Sequence, residues 1–313
     1  MKLHFIGTFQ LWCGLIIKST LKPKRNKIIM KSLKTIILLL ISYNAFAQQI
    51  LPLYPDSIPN CKVSLKEDEK PTLTIYLPPA DKATGTTVII FPGGGYGTIV
   101  THTEGTPIAQ AFVKEGITAV VVKYRLPDAD KMKDKSLGPL MDAQQAIKIV
   151  RSKAATWNIN PQKIGIIGFS AGGHLASSLG THFKTSYVSN MEGINLRPDF
   201  MVLVYPVISM KTGLTHSGSR SNLLGKEPRP EKVRLFSNEE QVNKDTPPTY
   251  LTHSGDDKVV SVDNSIVFYK ALQKNGVNAE LHLFPKGDHG FVLHLPPNEW
   301  MQPIFRFIKS EGF

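Results

Sequence analysis

Cysteine is almost absent from this chain: 313 residues hold two, Cys13 and Cys61. Cys13 falls in an N-terminal leader described below. A lone Cys61 then makes no intramolecular disulfide and no thiolate metal cluster. A core of the size this length allows needs no such staple. Metal-ligand histidine spacing is missing as well. There is no His-Glu-x-x-His and no paired-His pattern, which argues against a zinc hydrolase. Asp and Glu are missing from residues 1–47, which carry eight of the 37 Lys and Arg residues. That segment supplies most of the net charge of +12, and residues 48–313 hold 29 basic against 25 acidic residues, a net +4. No basic stripe with interleaved aromatics remains, so the charge does not point to a nucleic-acid partner. Internal repeats and low-complexity linkers are absent too.

The leader has a recognisable order. Met30-Lys31-Ser32-Leu33-Lys34 is a short basic region, Thr35 to Ile41 is apolar, and Ala45-Phe46-Ala47 is a small-x-small cleavage signal. The apolar run is too short to span a bilayer as a stable helix. No cysteine follows it directly, so a lipid anchor is not expected. The expected organisation is an upstream extension over residues 1–29, a signal peptide over 30–47, and one domain over 48–313. Cleavage near Ala47 would leave a periplasmic or secreted protein without a membrane span.

From Gln48 onward, strand-like and helix-like stretches alternate. Residues 48–70 read as irregular, and Leu73–Leu77 as an edge strand stopped by Pro78-Pro79. Thr87–Phe91, Ile117–Lys123, Lys163–Ile167 and Phe200–Tyr205 are apolar runs of strand length, as expected for strands buried on both faces. Thr249–His253 and Ala279–Phe284 complete the set. Helical spacing lies between them: Thr106 to Glu115, with Thr106 as cap, Pro139 to about Ala155, Val262 to Lys274, and Trp300 to Ile308. The pattern predicts an α/β fold, a mainly parallel sheet with helices on both faces. Residues 206–248 are polar, with Gly and Pro scattered through them. They read as short helices and loops above the sheet, the one stretch long enough for a lid.

One turn carries chemistry. Gly168-Phe169-Ser170-Ala171-Gly172 follows an apolar strand and precedes a helix-like run. A serine that attacks a carbonyl must stand clear of the backbone, and a tight strand–turn–helix lifts it there. Such a serine needs a histidine to take its proton and a carboxylate to orient that histidine. Asp256-Asp257 follows one later strand and His289 the next. An acid directly before x-Val-Val and the next helix favours Asp257, leaving Asp256 as a turn residue. His294 is the fallback base. His282 and His174 read as structural. Pro92-Gly93-Gly94-Gly95-Tyr96-Gly97 follows the first buried strand, where backbone N–H groups can face a developing oxyanion. Gly94, Gly95 and Ala171 are the candidate donors. Tyr96, His102 and Glu104 are candidate substrate contacts, although His102 and Glu104 read first as surface residues. Arg125 and Asp142 are expected to pair structurally. No metal ligands or cofactor-binding residues stand out.

Taken together, FPGGGYG (91–97), HTEG (102–105), YRLP (124–127), IGIIGFSAGGHLA (164–176), GSRSNLLG (218–225), DTPPTYLTHSGDDKVV (245–260), DNSIVFYKAL (263–272) and KGDHGF (286–291) resemble the acetyl-xylan-esterase-like, BD-FAE-type branch of the α/β-hydrolase superfamily. The likeness spans almost all of residues 70–292. It implies an α/β-hydrolase fold, a serine esterase needing no cofactor, and removal of small acyl groups, often acetyl, from plant polysaccharides such as xylan. Members of this branch also carry the name xylanase, yet nothing here singles out the carboxylate pair of glycosidase chemistry. A general carboxylesterase, a prolyl-oligopeptidase-type peptidase, a lipase, or a hydrolase-fold binding protein are the competing readings. The peptidase would want a propeller domain, and the lipase an apolar lid.

Overall fold

The structure is a computed structural model that describes residues 48–313. The segments expected to be a leader, its cleavage site and an upstream extension lie outside the described residues. In chain order the elements are β1 (Gln48–Pro52), β2 (Thr72–Tyr76), β3 (Thr87–Phe91), α1 (Thr101–Glu104), α2 (Thr106–Lys114), β4 (Thr118–Lys123), α3 (Gly138–Ser152), β5 (Ile164–Phe169), α4 (Ala171–His182), β6 (Met201–Val204), α5 (Ser217–Leu224), α6 (Pro230–Leu235), β7 (Thr249–Ser254), α7 (Asp263–Lys274), β8 (Ala279–Phe284), α8 (Pro297–Trp300) and α9 (Gln302–Ser310).

Eight strands form one sheet in the order β1-β2-β4-β3-β5-β6-β7-β8. The β1–β2 and β2–β4 pairs are antiparallel, and every later pair is parallel. The continuous apolar runs occupy the middle. β3, β5, β6 and β7 are buried at every position. Side chains alternate across a strand, and β3 shows the result. Val88 and Ile90 join Ile108 and Phe112 of α2 and Ile304 and Phe307 of α9. Ile89 and Phe91 face the other way, toward Leu140 and Ile147 of α3, Leu175 of α4 and Phe268 of α7. Both faces are thus covered, as the alternation of elements predicts.

Four expectations need correction. Residues 48–52 are not irregular but form β1, so β2 is an inner strand and not the edge. The signal was weak because Ile50 remains 63% exposed and Pro52 ends the run. The elbow helix is longer than its apolar stretch, running from Ala171 to His182, all buried. Thr106 does not cap α2. Gly105 holds that position, and the Thr106 hydroxyl bonds the Tyr76 hydroxyl at 3.0 Å instead. The C-terminal helix is two, α8 and α9.

Residues 206–248 contain α5 and α6. The part after α6 docks on α4 through buried hydrogen bonds: Asn238 Nδ2 donates to Ser177 Oγ at 2.7 Å and to the His174 carbonyl at 3.1 Å. Among the described residues no helix is long and apolar enough to cross a membrane. The Pro92–Gly97 loop, Ser170, Asp257 and His289 follow the C-terminal ends of β3, β5, β7 and β8, the end where open parallel sheets bind ligands.

Candidate active site

Ser170 sits at φ 51° and ψ −118°, a conformation that strains any residue with a Cβ. Its neighbours leave the room this needs. A Cβ on Gly172 would lie 2.1 Å from the Phe91 carbonyl oxygen, and one on Gly168 would lie 2.2 Å from the Gly172 oxygen. The Ser170 side chain therefore projects from the turn toward the loop after β8. His289 Nε2 lies 3.0 Å from Ser170 Oγ. His289 Nδ1 lies 2.7 Å from Asp257 Oδ2. A carboxylate only accepts, so Nδ1 carries the proton and Nε2 is left free to accept from the serine hydroxyl.

Asp257 is held firmly. Its Oδ1 accepts the Val259 and Val260 N–H groups at 2.9 and 2.8 Å. Its Oδ2 also accepts from His253 Nε2 at 3.1 Å. Burial opposes the negative charge, but the bonds from His253, His289 and Val260 outweigh it. They keep the carboxyl well below the usual carboxylate range. Asp256 is the exposed turn residue expected. It has a task of its own: Oδ1 takes the Ser254 hydroxyl at 2.6 Å and the Asp288 N–H at 2.8 Å, tying the loop after β7 to the loop after β8. The fallback His294 is exposed, and its ring makes no hydrogen bond among the described residues, only its backbone N–H donating to the Phe291 carbonyl at 3.1 Å.

The Pro92–Gly97 loop is unevenly satisfied. All its carbonyls from Pro92 to Gly95 accept a bond, from Tyr124 Oη, Val100 N–H, the Gly97 and Thr98 N–H groups, and Asn222 Nδ2 in turn. The Gly93 N–H donates to Glu104 Oε2 at 2.6 Å. The N–H groups of Gly94, Gly95 and Tyr96 find no acceptor among the described residues, and neither does that of Ala171 at the start of α4. Gly94 has φ 121°, and a Cβ there would lie 2.3 Å from the Thr98 carbonyl oxygen. Unpaired N–H groups at a helix start and on a glycine loop suit a developing negative charge.

The candidate substrate contacts fare differently. Tyr96 lines a cavity with Gly97, Ile99 and Tyr124, but its hydroxyl is not free. It is 2% exposed, adopts φ 60°, and turns its hydroxyl inward to His174 Nδ1 at 2.8 Å. Glu104 is not a surface residue. It is 5% exposed, with Oε1 accepting the Tyr205 hydroxyl at 2.9 Å. Burial pushes its carboxyl above the ordinary range, against the bonds from Gly93 and Tyr205. His102 is exposed, as its surface reading predicts, and bonds neither the triad nor the loop. Arg125 and Asp142 form a buried ion pair at 2.6 Å. Among the described residues no group of three or more His, Cys, Asp or Glu is placed to hold a metal ion.

With this geometry in place, the comparison with known proteins is decisive for ancestry. Residues 73–272 match the BD-FAE family. The chain belongs to the BD-FAE family. Its fold is the α/β-hydrolase fold. The acetylxylan esterase of Xylanibacter ruminicola is 37% identical over 233 residues, 73% of this chain and 45% of that protein. The endo-1,4-beta-xylanase B of Butyrivibrio fibrisolvens is 37% identical over 209 residues, 66% of this chain and 32% of that protein. The chain spans less than half the length of either. The crystal structure of an acetyl ester-xyloside bifunctional hydrolase from Caldicellulosiruptor lactoaceticus is 39% identical, with a TM-score of 0.76. That match covers 85% of this chain and 97% of the other.

Three residues of this BD-FAE chain escaped sequence reasoning. His253 shares Asp257 with His289, and its Nδ1 lies 2.8 Å from Ser265 Oγ. Its position four residues before Asp257 was the available signal. The Tyr205 ring lies 4.8 Å from the His289 ring. Its φ of 36° directly after β6 has no local sequence cue. His216 caps α5 and stands next to Gly95. The Ser219 N–H at 3.3 Å fixes His216 Nδ1 as an acceptor, so Nε2 carries the proton and is a donor without a partner among the described residues.

Proposed function

We propose that this chain is a serine carboxylic-ester hydrolase that removes small acyl groups, acetyl first, from plant polysaccharide such as xylan. One observation carries the reading. The Asp257–His289–Ser170 relay is complete, with bonds of 2.7 and 3.0 Å, beside unpaired N–H groups on Gly94, Gly95 and Ala171. Ser170 Oγ attacks the ester carbonyl while His289 Nε2 takes its proton. Asp257 holds the imidazole tautomer and offsets the positive charge that forms. Gly94, Gly95 and Ala171 N–H groups receive the oxyanion, each worth about 3 kcal/mol. His289 then protonates the departing alcohol oxygen. Water, activated by the same histidine, releases the acid from Ser170.

The names of the relatives support acetylated xylan as substrate. The xylanase name belongs to a protein of which this chain spans 32%. Glycoside cleavage needs two carboxyl groups across the bond. The two near Ser170 are already committed, Asp257 to four donors and Glu104 to Gly93 and Tyr205. The leader over residues 30–47 supports a periplasmic or secreted location.

The test incubates the full chain with acetylated xylan and with aryl esters of increasing acyl length, and measures released acid. Acetate release from xylan, preference for the shortest aryl esters, and loss of both in Ser170→Ala are expected. Preference for long acyl chains, or activity retained in Ser170→Ala, would overturn the reading.

A further inference from the structure

The unpaired donors of the Pro92–Gly97 loop lie between two residues that are tied down. On one side, the Gly93 N–H is committed to Glu104 Oε2 at 2.6 Å. On the other, the Tyr96 hydroxyl is committed to His174 Nδ1 at 2.8 Å. Gly94 and Gly95 are the span between. We infer that Glu104 and His174 are positioning residues, a two-ended clamp that fixes the Gly94 and Gly95 N–H groups for the oxyanion. This deepens the proposed esterase reading and rests on it.

Each anchor is itself fixed. Glu104 Oε1 takes the Tyr205 hydroxyl at 2.9 Å, and the Tyr205 ring packs 4.8 Å from His289. One carboxylate therefore references the loop and the base ring to the same point. His174 Nε2 lies 2.8 Å from the Phe236 carbonyl. A carbonyl only accepts, so Nε2 carries the proton and Nδ1 must accept the Tyr96 O–H. Complete burial holds His174 down to about 4, so the ring is neutral and keeps this tautomer in the working range. Bonds from Val100, Gly97, Thr98 and Asn222 hold the loop's carbonyls, but the two anchors are what tie the residues flanking the glycine pair to the body of the fold, and a glycine pair is otherwise the most conformationally free of dipeptides. An oxyanion hole contributes only if its donors are already in place when charge develops.

Glu104→Gln separates acceptor from charge. The amide oxygen can accept the Gly93 N–H, and the amide nitrogen can donate to the Tyr205 oxygen. Both bonds survive in a neutral side chain, whereas Glu104→Ala removes both. Tyr96→Phe removes a single oxygen and spares the packing of the ring.

The experiment measures kcat and KM on an aryl acetate, and the affinity of a boronic-acid transition-state analogue, for the full chain and these three variants. Misplacing a reacting partner by about 1 Å costs on the order of 100-fold. Glu104→Ala and Tyr96→Phe are each expected to lose about 10- to 100-fold in kcat, with KM changed less than about threefold and analogue affinity falling in parallel. Glu104→Gln is expected to recover most of the loss. Three results would overturn the clamp: kcat within twofold of wild type in Tyr96→Phe, losses confined to KM, or Glu104→Gln as slow as Glu104→Ala. Tyr96→Phe and Glu104→Gln keep the test intact if Glu104→Ala does not fold. An inactive wild type that no fluorophosphonate labels would instead sink the esterase reading itself.

Discussion

Asp257→Asn tests the relay at its most constrained point. The wild-type carboxylate accepts four bonds: Val259 and Val260 N–H groups on Oδ1, and His289 and His253 on Oδ2. An asparagine offers one acceptor oxygen. The two backbone donors have no other partner among the described residues, so they retain it. The amide NH2 then faces both imidazoles. His253 can keep its Nε2 proton, because the Val260 carbonyl stands 3.0 Å away. His289 has no substitute acceptor and must move its proton from Nδ1 to Nε2. That proton points at Ser170 Oγ and blocks the base. A wrong tautomer with intact geometry costs about 10⁴-fold in kcat, equivalent to about 5 kcal/mol of barrier. KM should change little, since no substrate contact is lost. Steady-state hydrolysis of an aryl acetate gives kcat, and a thermal melt checks the fold. Asp256→Asn serves as the neighbouring control. It loosens only the tie to Ser254 and Asp288 and should cost less than about tenfold. An Asp257→Asn enzyme within tenfold of wild type, or an Asp256→Asn enzyme equally impaired, would refute this assignment of the acid.

The remaining predictions concern stability. Asp142 accepts from Arg125 Nε, Nη2 and N–H and from the Tyr54 hydroxyl. Asp142→Leu leaves the Arg125 charge buried without its partner and should cost about 3–5 kcal/mol in urea unfolding. Adding Arg125→Met should restore part of it, and a single variant as stable as wild type would sink the argument. Glu104 and Asp257 should show opposite pH behaviour. Burial raises the folded-state pKa of Glu104, so its ionised form destabilises the fold above that value, and the penalty is absent below the unfolded value of about 4.3. Glu104→Gln should therefore melt higher than wild type at about pH 8, with the gap closing toward about pH 4. Asp257 is held low, so its contribution is full above an unfolded value of about 3.9 and is lost as pH falls through the folded one. Asp257→Asn should melt lower at about pH 8, with the gap narrowing in acid. Melting curves across pH check both signs.

The sheet was legible because its requirements are local. Thr87–Phe91 and Ile164–Phe169 are apolar at nearly every position, and only a strand covered on both faces tolerates that. The order of Ser170, Asp257 and His289, each after a strand, is enough to place the three at the C-terminal end of a parallel sheet. Gly168 and Gly172 were legible for a steric reason, since the turn they flank has no space for a Cβ. β1 was not legible. Gln48 to Pro52 has neither alternation nor an apolar run, and its pairing depends on β2, more than twenty residues on. The partner of Tyr96 was not legible either: the residue takes a left-handed φ of 60° and its hydroxyl bonds His174, 78 residues on. Nothing in the run Gly-Gly-Gly-Tyr-Gly shows which residue takes that turn.

Glu104 shows why the support around the relay could not be read. A glutamate between histidine, threonine and glycine looks solvated, and free energy makes that the default. Its burial is tolerable only because two donors meet it: the Gly93 N–H from eleven residues away, and the Tyr205 hydroxyl from 101 residues away. His174 poses the same problem, with Tyr96 at a separation of 78 residues and Phe236 at 62. Periodicity reports which positions are apolar. It carries no information on whether a polar side chain will find its partner once the sheet has assembled. The reacting groups must project from loops into a common space, so chain order can reveal them. The groups that hold them still are satisfied from behind, by whatever donor the fold delivers. Unpartnered, a buried Glu104 carboxylate would be too costly to retain. Of the two bonds that make its burial tolerable, the one from Gly93 is also its hold on the loop, and the one from Tyr205 ties it to the ring packed on His289.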